Sequence, residues 1–231
     1  MTIFKPWSSA PETALYKKVI HRNMYIDIYY DTVCPWCCIG KKRLEKALQS
    51  RAHISLKTRW KPFLLNPTMG PAGMDRQLYL SQKFGGPERA NRVYDAIAQT
   101  GRDNGIDFQF DRIKYTPNSI ASHRLVFFAG RFDLEVQMVE RLFKGFFMEG
   151  LNIGDLDVLV KLASEIGLDK GETRSFLKSD ELYEEVVQSD HKARELGVHG
   201  VPAFVARERY VISGAQESKI LGKFIDTAWN G

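Results

Sequence analysis

A chain of 231 residues with 44% hydrophobic and 26% charged side chains has the apolar content for one sizeable domain, or for a domain carrying a large insertion. Its net charge of +5 is the balance of 33 basic and 28 acidic residues spread along the chain. That excludes the basic stripe of a nucleic-acid binder, and no apolar run approaches the ~20 residues that span a bilayer.

Residues 1–22 hold no continuous apolar stretch of the kind a secretory signal needs, because Lys5, Ser8, Ser9, Glu12, Lys17 and Lys18 interrupt it. This segment reads as an N-terminal extension, with Trp7 and Leu15 available to dock on the body, and a cytoplasmic location is expected. Residues 24–30, Met-Tyr-Ile-Asp-Ile-Tyr-Tyr, are short, aromatic and β-branched, as a central strand should be. A helix follows over 39–50, with Ile39, Leu44, Ala47 and Leu48 on one face. Pro35 sits in its first turn, which places Cys34 at the helix N-terminus. Alternation over 55–60 sets Leu56, Thr58 and Trp60 against Ser55, Lys57 and Arg59, the pattern of a half-buried strand. Strand, helix, strand within about forty residues is a right-handed βαβ unit.

Strand signals then stop for over a hundred residues. Segments 74–84, 87–99, 117–129, 134–148 and 156–166 read as helices. In the last of these Asp155 caps the start, Leu156, Leu159, Val160, Ala163 and Ile166 form one stripe, and Gly167 ends it. Helices over 172–177 and 181–196 lead to Gly197. A hairpin pairs 203–206 with 210–212 across Arg207-Glu-Arg209, and a last amphipathic helix carries Ile220, Leu221, Phe224, Ile225 and Ala228. The order is βαβ, a helical block, then ββα. The fold class expected is therefore α/β, a thioredoxin fold with an all-helical insertion between the second strand and the hairpin. Its parts are an extension over 1–22, a discontinuous domain over 23–67 and 196–231, and an insertion over 68–195.

The only three cysteines, Cys34, Cys37 and Cys38, lie within five positions, which is no framework for a fold of this size. A thiolate is the reactive form of cysteine, and the unpaired N–H groups and dipole of a helix N-terminus favour it. Cys34 is thus expected as an exposed nucleophile, with Cys37 one helical turn deeper to displace a mixed disulfide. Half a zinc site is the plainer alternative. It lacks a second Cys pair, and His21, His53, His123, His191 and His199 show no close pairing, so no metal is expected. Trp36 reads as an exposed contact for a partner, and Cys38 as a small buried hydrophobe. A second signal is Gly197-Val-His-Gly-Val-Pro202, just before the hairpin. An X-Pro bond at a tight turn suits a cis peptide, and it would leave the Val201 backbone free to pair with an extended substrate.

The blocks Asp31-Thr-Val-Cys-Pro-Trp-Cys-Cys-Ile-Gly40, Phe63-Leu-Leu-Asn-Pro67, Asn118-Ser-Ile-Ala-Ser-His-Arg-Leu125, Phe147-Met-Glu-Gly150, Gly197 to Pro202 and Ser213-Gly-Ala-Gln216 together resemble the DsbA superfamily, and within it the FrnE-like proteins. The resemblance implies dithiol–disulfide activity on protein or small-molecule disulfides, and a cis Val201–Pro202 bond facing the Cys pair. It implies a substrate surface built from Pro35, Trp36, Val201, Pro202, Asn66, His123, Gly214, Ala215 and Gln216. The related kappa-class glutathione transferases and 2-hydroxychromene-2-carboxylate isomerases bind glutathione and carry serine where Cys34 stands. Glutathione-dependent isomerase or transferase chemistry is therefore the rival reading, and a redox-independent peptide-binding chaperone a second one. By similarity glutathione, a possible co-substrate, would meet Asn66, the Val201 backbone and the 214–216 turn; no tightly bound cofactor is implied. Lys41, Lys42 and Arg43 would attract such an acidic thiol if they faced the site.

Thioredoxin and DsbA carry a buried acid six residues before the nucleophile, where this chain has Ile28. Asp31, three residues before Cys34, is left as a proton carrier or a helix cap, and His123 as a residue near the active-site groove or a satisfied polar group at the domain junction. Neither a membrane nor a nucleic acid is expected as partner, and a monomer and a homodimer are equally compatible with the sequence.

Overall fold

Ile26, Ile28 and Tyr30 alternate with Tyr25, Asp27 and Tyr29 along the strand β1 (Met24–Tyr30), and the first three are buried almost completely. The computed structural model describes residues 24–231. The expectations for 1–22, including Trp7 and Leu15, lie outside the described residues. β1 is central: it runs parallel to β2 (Leu56–Pro62), with Ile28 opposite Trp60, and antiparallel to β5 (Ala203–Ala206), with Ile28 opposite Phe204. β5 in turn pairs with β6 (Tyr210–Ser213), giving the sheet order β2-β1-β5-β6.

The crossover from β1 to β2 is α1 (Pro35–Gln49), and α9 (Ser218–Asn230) packs beside it on the same face. Ile39, Leu44, Phe204, Leu221 and Ile225 close the core there. The opposite face is smaller. Tyr29, Phe63, Ala193, Val198 and Ala203 cluster under α8 (Tyr183–Glu195). This is an α/β thioredoxin fold.

Between β2 and β5 the chain makes α2 (Arg76–Phe84), α3 (Pro87–Asp103), α4 (Ile120–Gly130), α5 (Glu135–Phe147), α6 (Leu156–Glu165), α7 (Lys170–Lys178) and α8. Asp75, Asp155 and Asp169 accept from first-turn amides of α2, α6 and α7, so each start is fixed by a side chain written in the sequence. The insertion is not wholly helical. Met74–Asp75 (β3) pairs antiparallel with Tyr115–Thr116 (β4), because the chain must close around the α2–α3 pair before α4 begins. Two-residue strands carry no alternation to read, which is why the sequence shows only helix there.

Candidate active site

The site is assembled from four segments, beginning where β1 ends. Asp31 and Thr32 are completely buried, and the Cys34 amide donates to the Asp31 carbonyl at 3.0 Å, turning the chain into α1. Cys34 is the N-cap residue of α1 and Pro35 follows at its first position. No side chain caps this helix and no acid lies in its first turn, so the positive end of its dipole acts on Cys34 alone. Cys37, one turn in, donates its amide to the Cys34 carbonyl at 3.0 Å, and all three cysteines are free thiols.

Cys34 is not the exposed nucleophile the sequence suggests: it is only 3% accessible. The reason is the second segment. The loop before β5 lays the Val201 carbonyl 3.6 Å from the Cys34 sulfur, which donates to it. The Val201–Pro202 peptide bond is cis. Pro202 rests directly on α1 at Gly40, where a Cβ would stand 2.8 Å from the proline Cγ. Trp36, by contrast, is 38% exposed and forms the open rim of the pair.

The third segment is the turn after β6. Gly214 donates its amide to the Pro202 carbonyl at 2.7 Å, and Arg43 on α1 reaches across to the Ala215 carbonyl at 2.6 Å and to Asn104 at 3.1 Å. Gln216 turns its side-chain amide back to the Ser213 carbonyl. The basic run on α1 is therefore no open anion patch. Arg43 is a strap, Lys41 is buried and ion-paired with Glu45 and Glu140, and Lys42 faces Glu45 at 3.7 Å.

The fourth segment follows β2. Leu64 is gripped by α8, its amide donating to Asp190 at 2.9 Å and its carbonyl accepting from Arg194 at 2.7 Å. Leu65 then donates its amide to Asp31 Oδ2 at 2.8 Å, and Asn66 accepts from the Tyr79 hydroxyl at 3.2 Å. Of the expected substrate contacts, Val201 meets Cys34 directly, the 214–216 turn is tied to Pro202 and Arg43, and Asn66 is tied to Tyr79.

Two residues sit differently from expectation. Asp31 caps no helix: its oxygens take the Val33 and Leu65 amides and face His123 Nε2 at 3.3 Å. His123 does not line the groove. It is completely buried on α4, edge-on to Tyr30 at 4.9 Å, because that helix is enclosed on nearly every side. The sequence marked Arg43 only as a possible anion contact, gave Gly40 and Leu65 no role of their own, and did not mark the Asp190–Arg194 pair. Of the residues without a role only Gly40 carried a signal, as a glycine inside a helix where alanine would be favoured.

Burial pushes the Cys37 thiol well up, and its hydrogen bond to Cys34, the Cys34 charge and the Asp31 charge add to this, while a hydrogen bond from the Asp31 backbone opposes them. Burial raises Cys38 to about 12 against the pull of Lys41. Cys38 faces a cavity of 430 Å³ with Lys41, Glu140, Phe143 and Met148, apart from Val201, so it belongs to the packing of α1 on α5. The arrangement offers one sulfur at a helix start against the Val201 carbonyl, a second held protonated beside it, and a buried carboxylate on the turn that leads into them.

A family model described as the DSBA-like thioredoxin domain matches residues 25–226. The Bacillus subtilis protein YwbO, itself uncharacterized, is 29% identical over 205 residues, covering 88% of this chain and 96% of YwbO. A probable DsbA oxidoreductase from Streptomyces coelicolor superposes with a TM-score of 0.83 at 28% identity, covering 90% of each chain. The cytosolic disulfide reductase DsbM from Pseudomonas aeruginosa, in a structure with GSH, shares the fold at a TM-score of 0.64 and 21% identity, over 90% of this chain and all of that one.

Proposed function

The chain belongs to the DSBA-like thioredoxin domain family, and from that premise we propose that it is a thiol–disulfide oxidoreductase in which Cys34 attacks and Cys37 resolves. The observation that carries this reading is the pairing of Cys34, at an uncapped helix start and against the Val201 carbonyl, with Cys37 one turn inside.

The Cys34 thiolate attacks a substrate disulfide. A bond forms between Cys34 and one substrate sulfur, and the other sulfur leaves as a thiolate. Cys37 gives up its proton and attacks the Cys34 sulfur, and the bound substrate sulfur leaves with its electron pair. Two electrons have passed from the dithiol to the substrate, and the Cys34–Cys37 disulfide is returned to the dithiol by two equivalents of a small thiol. An extended substrate segment would lie along Val201 and Trp36. Glutathione suits the role of the small thiol, its polar groups meeting Asn66 and the 214–216 turn. Cysteine at position 34, where the glutathione transferase reading expects serine, favours exchange over conjugation. Among the described residues no helix is long and apolar enough to cross a membrane.

A redox titration against glutathione tests the proposal, with Trp36 fluorescence as the signal and mass spectrometry naming the species. A reversible two-electron transition through the Cys34–Cys37 disulfide is expected. Tight glutathione binding with no such disulfide would overturn it in favour of an isomerase or transferase, and client binding indifferent to both cysteines in favour of a chaperone.

A further inference from the structure

Resolution of the mixed disulfide needs a base, because Cys37 is buried at 1% exposure and must lose its proton before it can attack. The place where a strand-borne acid would stand, six residues before Cys34, holds the buried apolar Ile28. Asp31 is the buried carboxylate at the Cys pair instead. Its carbonyl takes the Cys34 amide at 3.0 Å, and the Cys34 carbonyl in turn takes the Cys37 amide at 3.0 Å, so Asp31 anchors the turn that carries both cysteines, and its charge acts on the Cys37 thiol. Its carboxylate is fixed by the Leu65 amide at 2.8 Å and by His123 Nε2 at 3.3 Å.

We propose that Asp31 and His123 are a buried proton-accepting dyad for the resolving thiol, Asp31 receiving the Cys37 proton and His123 positioning the carboxylate through Nε2–H. This rests on the dithiol reading above.

A carboxylate with no exposed surface is costly unless its oxygens are satisfied, and here both are. Neither oxygen accepts from α1, so the carboxylate is not spent on capping the nucleophile's helix. With Asp31 as acceptor, His123 must present N–H at Nε2, which leaves Nδ1 as its basic nitrogen. That atom is buried and has no partner, nor has the Tyr30 hydroxyl whose ring lies against the imidazole. The titratable groups facing the dyad are Cys34, Cys37 and Tyr30, with Glu135 of α5 beyond Tyr30. In the resolving step the Cys37 proton passes to Asp31, the Cys37–Cys34 bond forms, and the Cys34–substrate bond breaks. Asp31 then gives its proton to the leaving thiolate, or to solvent where that thiolate leaves ionised, and either transfer resets the dyad.

Reaction with 5,5′-dithiobis(2-nitrobenzoate) separates the two steps. In a Cys38→Ala background the first thionitrobenzoate released reports attack by Cys34, and the second reports resolution by Cys37. Asp31→Asn is expected to slow the second release about 100-fold, the low end for general-base catalysis, with the first within about 2-fold. Its second phase should then climb tenfold per pH unit as hydroxide replaces the lost base, while the wild-type profile stays flatter. His123→Phe should slow the second release about tenfold, His123→Gln should restore most of it, and the Asp31→Asn/His123→Phe double variant should match Asp31→Asn, as residues acting as a unit do. Equal slowing of both phases, or an unchanged second phase, overturns the dyad and leaves the oxidoreductase reading standing. Absence of any second release from the wild-type pair overturns both.

Discussion

The Cys34 thiol donates to the Val201 carbonyl at 3.6 Å, joining residues 167 positions apart. The contact lies over a sulfur that is only 3% accessible. The same contact ties the N-terminus of α1 to the loop that carries the cis Val201–Pro202 bond.

Alkylation should separate the three thiols. Burial holds Cys37 well up and Cys38 at about 12, so both stay protonated near neutrality and Cys34 is the thiol left to react. Iodoacetamide at pH 7, followed by peptide mapping, should label Cys34 first. The same burial makes stability pH-dependent. Above the ordinary value of about 9, an unfolded chain loses the Cys38 proton that the folded chain keeps up to about 12. Stability is then complete below pH 9 and falls as pH rises, by up to about 1.4 kcal/mol per unit for this thiol. Urea midpoints at pH 8.5 and 10.5 should differ less in Cys38→Ala than in the wild type.

Gly40 allows Pro202 to lie directly on α1, and a methyl group there would meet the proline Cγ at 2.8 Å and the Phe204 ring at 3.3 Å. Both neighbours are rigid rings, so the loop itself must move. Gly40→Ala gains helix propensity but should lose about 1–3 kcal/mol from overpacking, and the second effect is the larger. Denaturant midpoints measure the loss. The displaced Val201 carbonyl should also lower the rate at which Cys34 attacks a disulfide, measured as the first-phase rate with the chromogenic disulfide.

Trp36 is the exposed rim of the site and packs no core. Trp36→Ala should leave turnover of a small chromogenic disulfide within about 2-fold, since surface changes away from packed features cost little. Reduction of a disulfide-bonded protein should fall more, chiefly through a higher KM, because the large partner loses its aromatic contact. Equal effects on the two substrates would place Trp36 outside the docking surface.

The strands were legible from local composition and pattern: 24–30 by its short run of β-branched and aromatic residues, buried on both faces as a central strand is, and 55–60 by its alternation. Cys34 and Cys37 were legible because their spacing is local and the chemistry needs one helical turn. His123 was not, because its burial depends on α4 being enclosed by other helices, and nothing in its own neighbourhood of sequence marks which side of the helix meets Asp31. Lys41 misled for the same reason. A lysine beside the active helix looks free until Glu140 arrives from α5, 99 positions away. Local periodicity carries the elements, whereas the polar contacts between them are decided only once the chain has closed.

Arg124 shows what such a contact is worth. Its guanidinium donates to the carbonyls of Phe176, Leu177, Ser179 and Glu181, gathering the end of α7 and the turn that follows it. It also lies over the Phe176 ring at 5.1 Å. The residue is buried, and desolvation lowers its pKa, the cost that those acceptors offset. Arg124→Met keeps most of the stem but leaves buried carbonyls unpaired, so a loss of about 2–4 kcal/mol in unfolding free energy is expected. Arg124→Lys can serve only part of this set from one ammonium, and should recover less than half of the loss. Hydrogen exchange should show the damage confined to 176–183 and α4, with the Cys34–Cys37 chemistry preserved. The clamp's acceptors all lie at the end of α7 and in the turn after it, but Arg124 directly follows His123 on α4, so loss of activity in step with stability would mean that the register of His123 depends on the clamp.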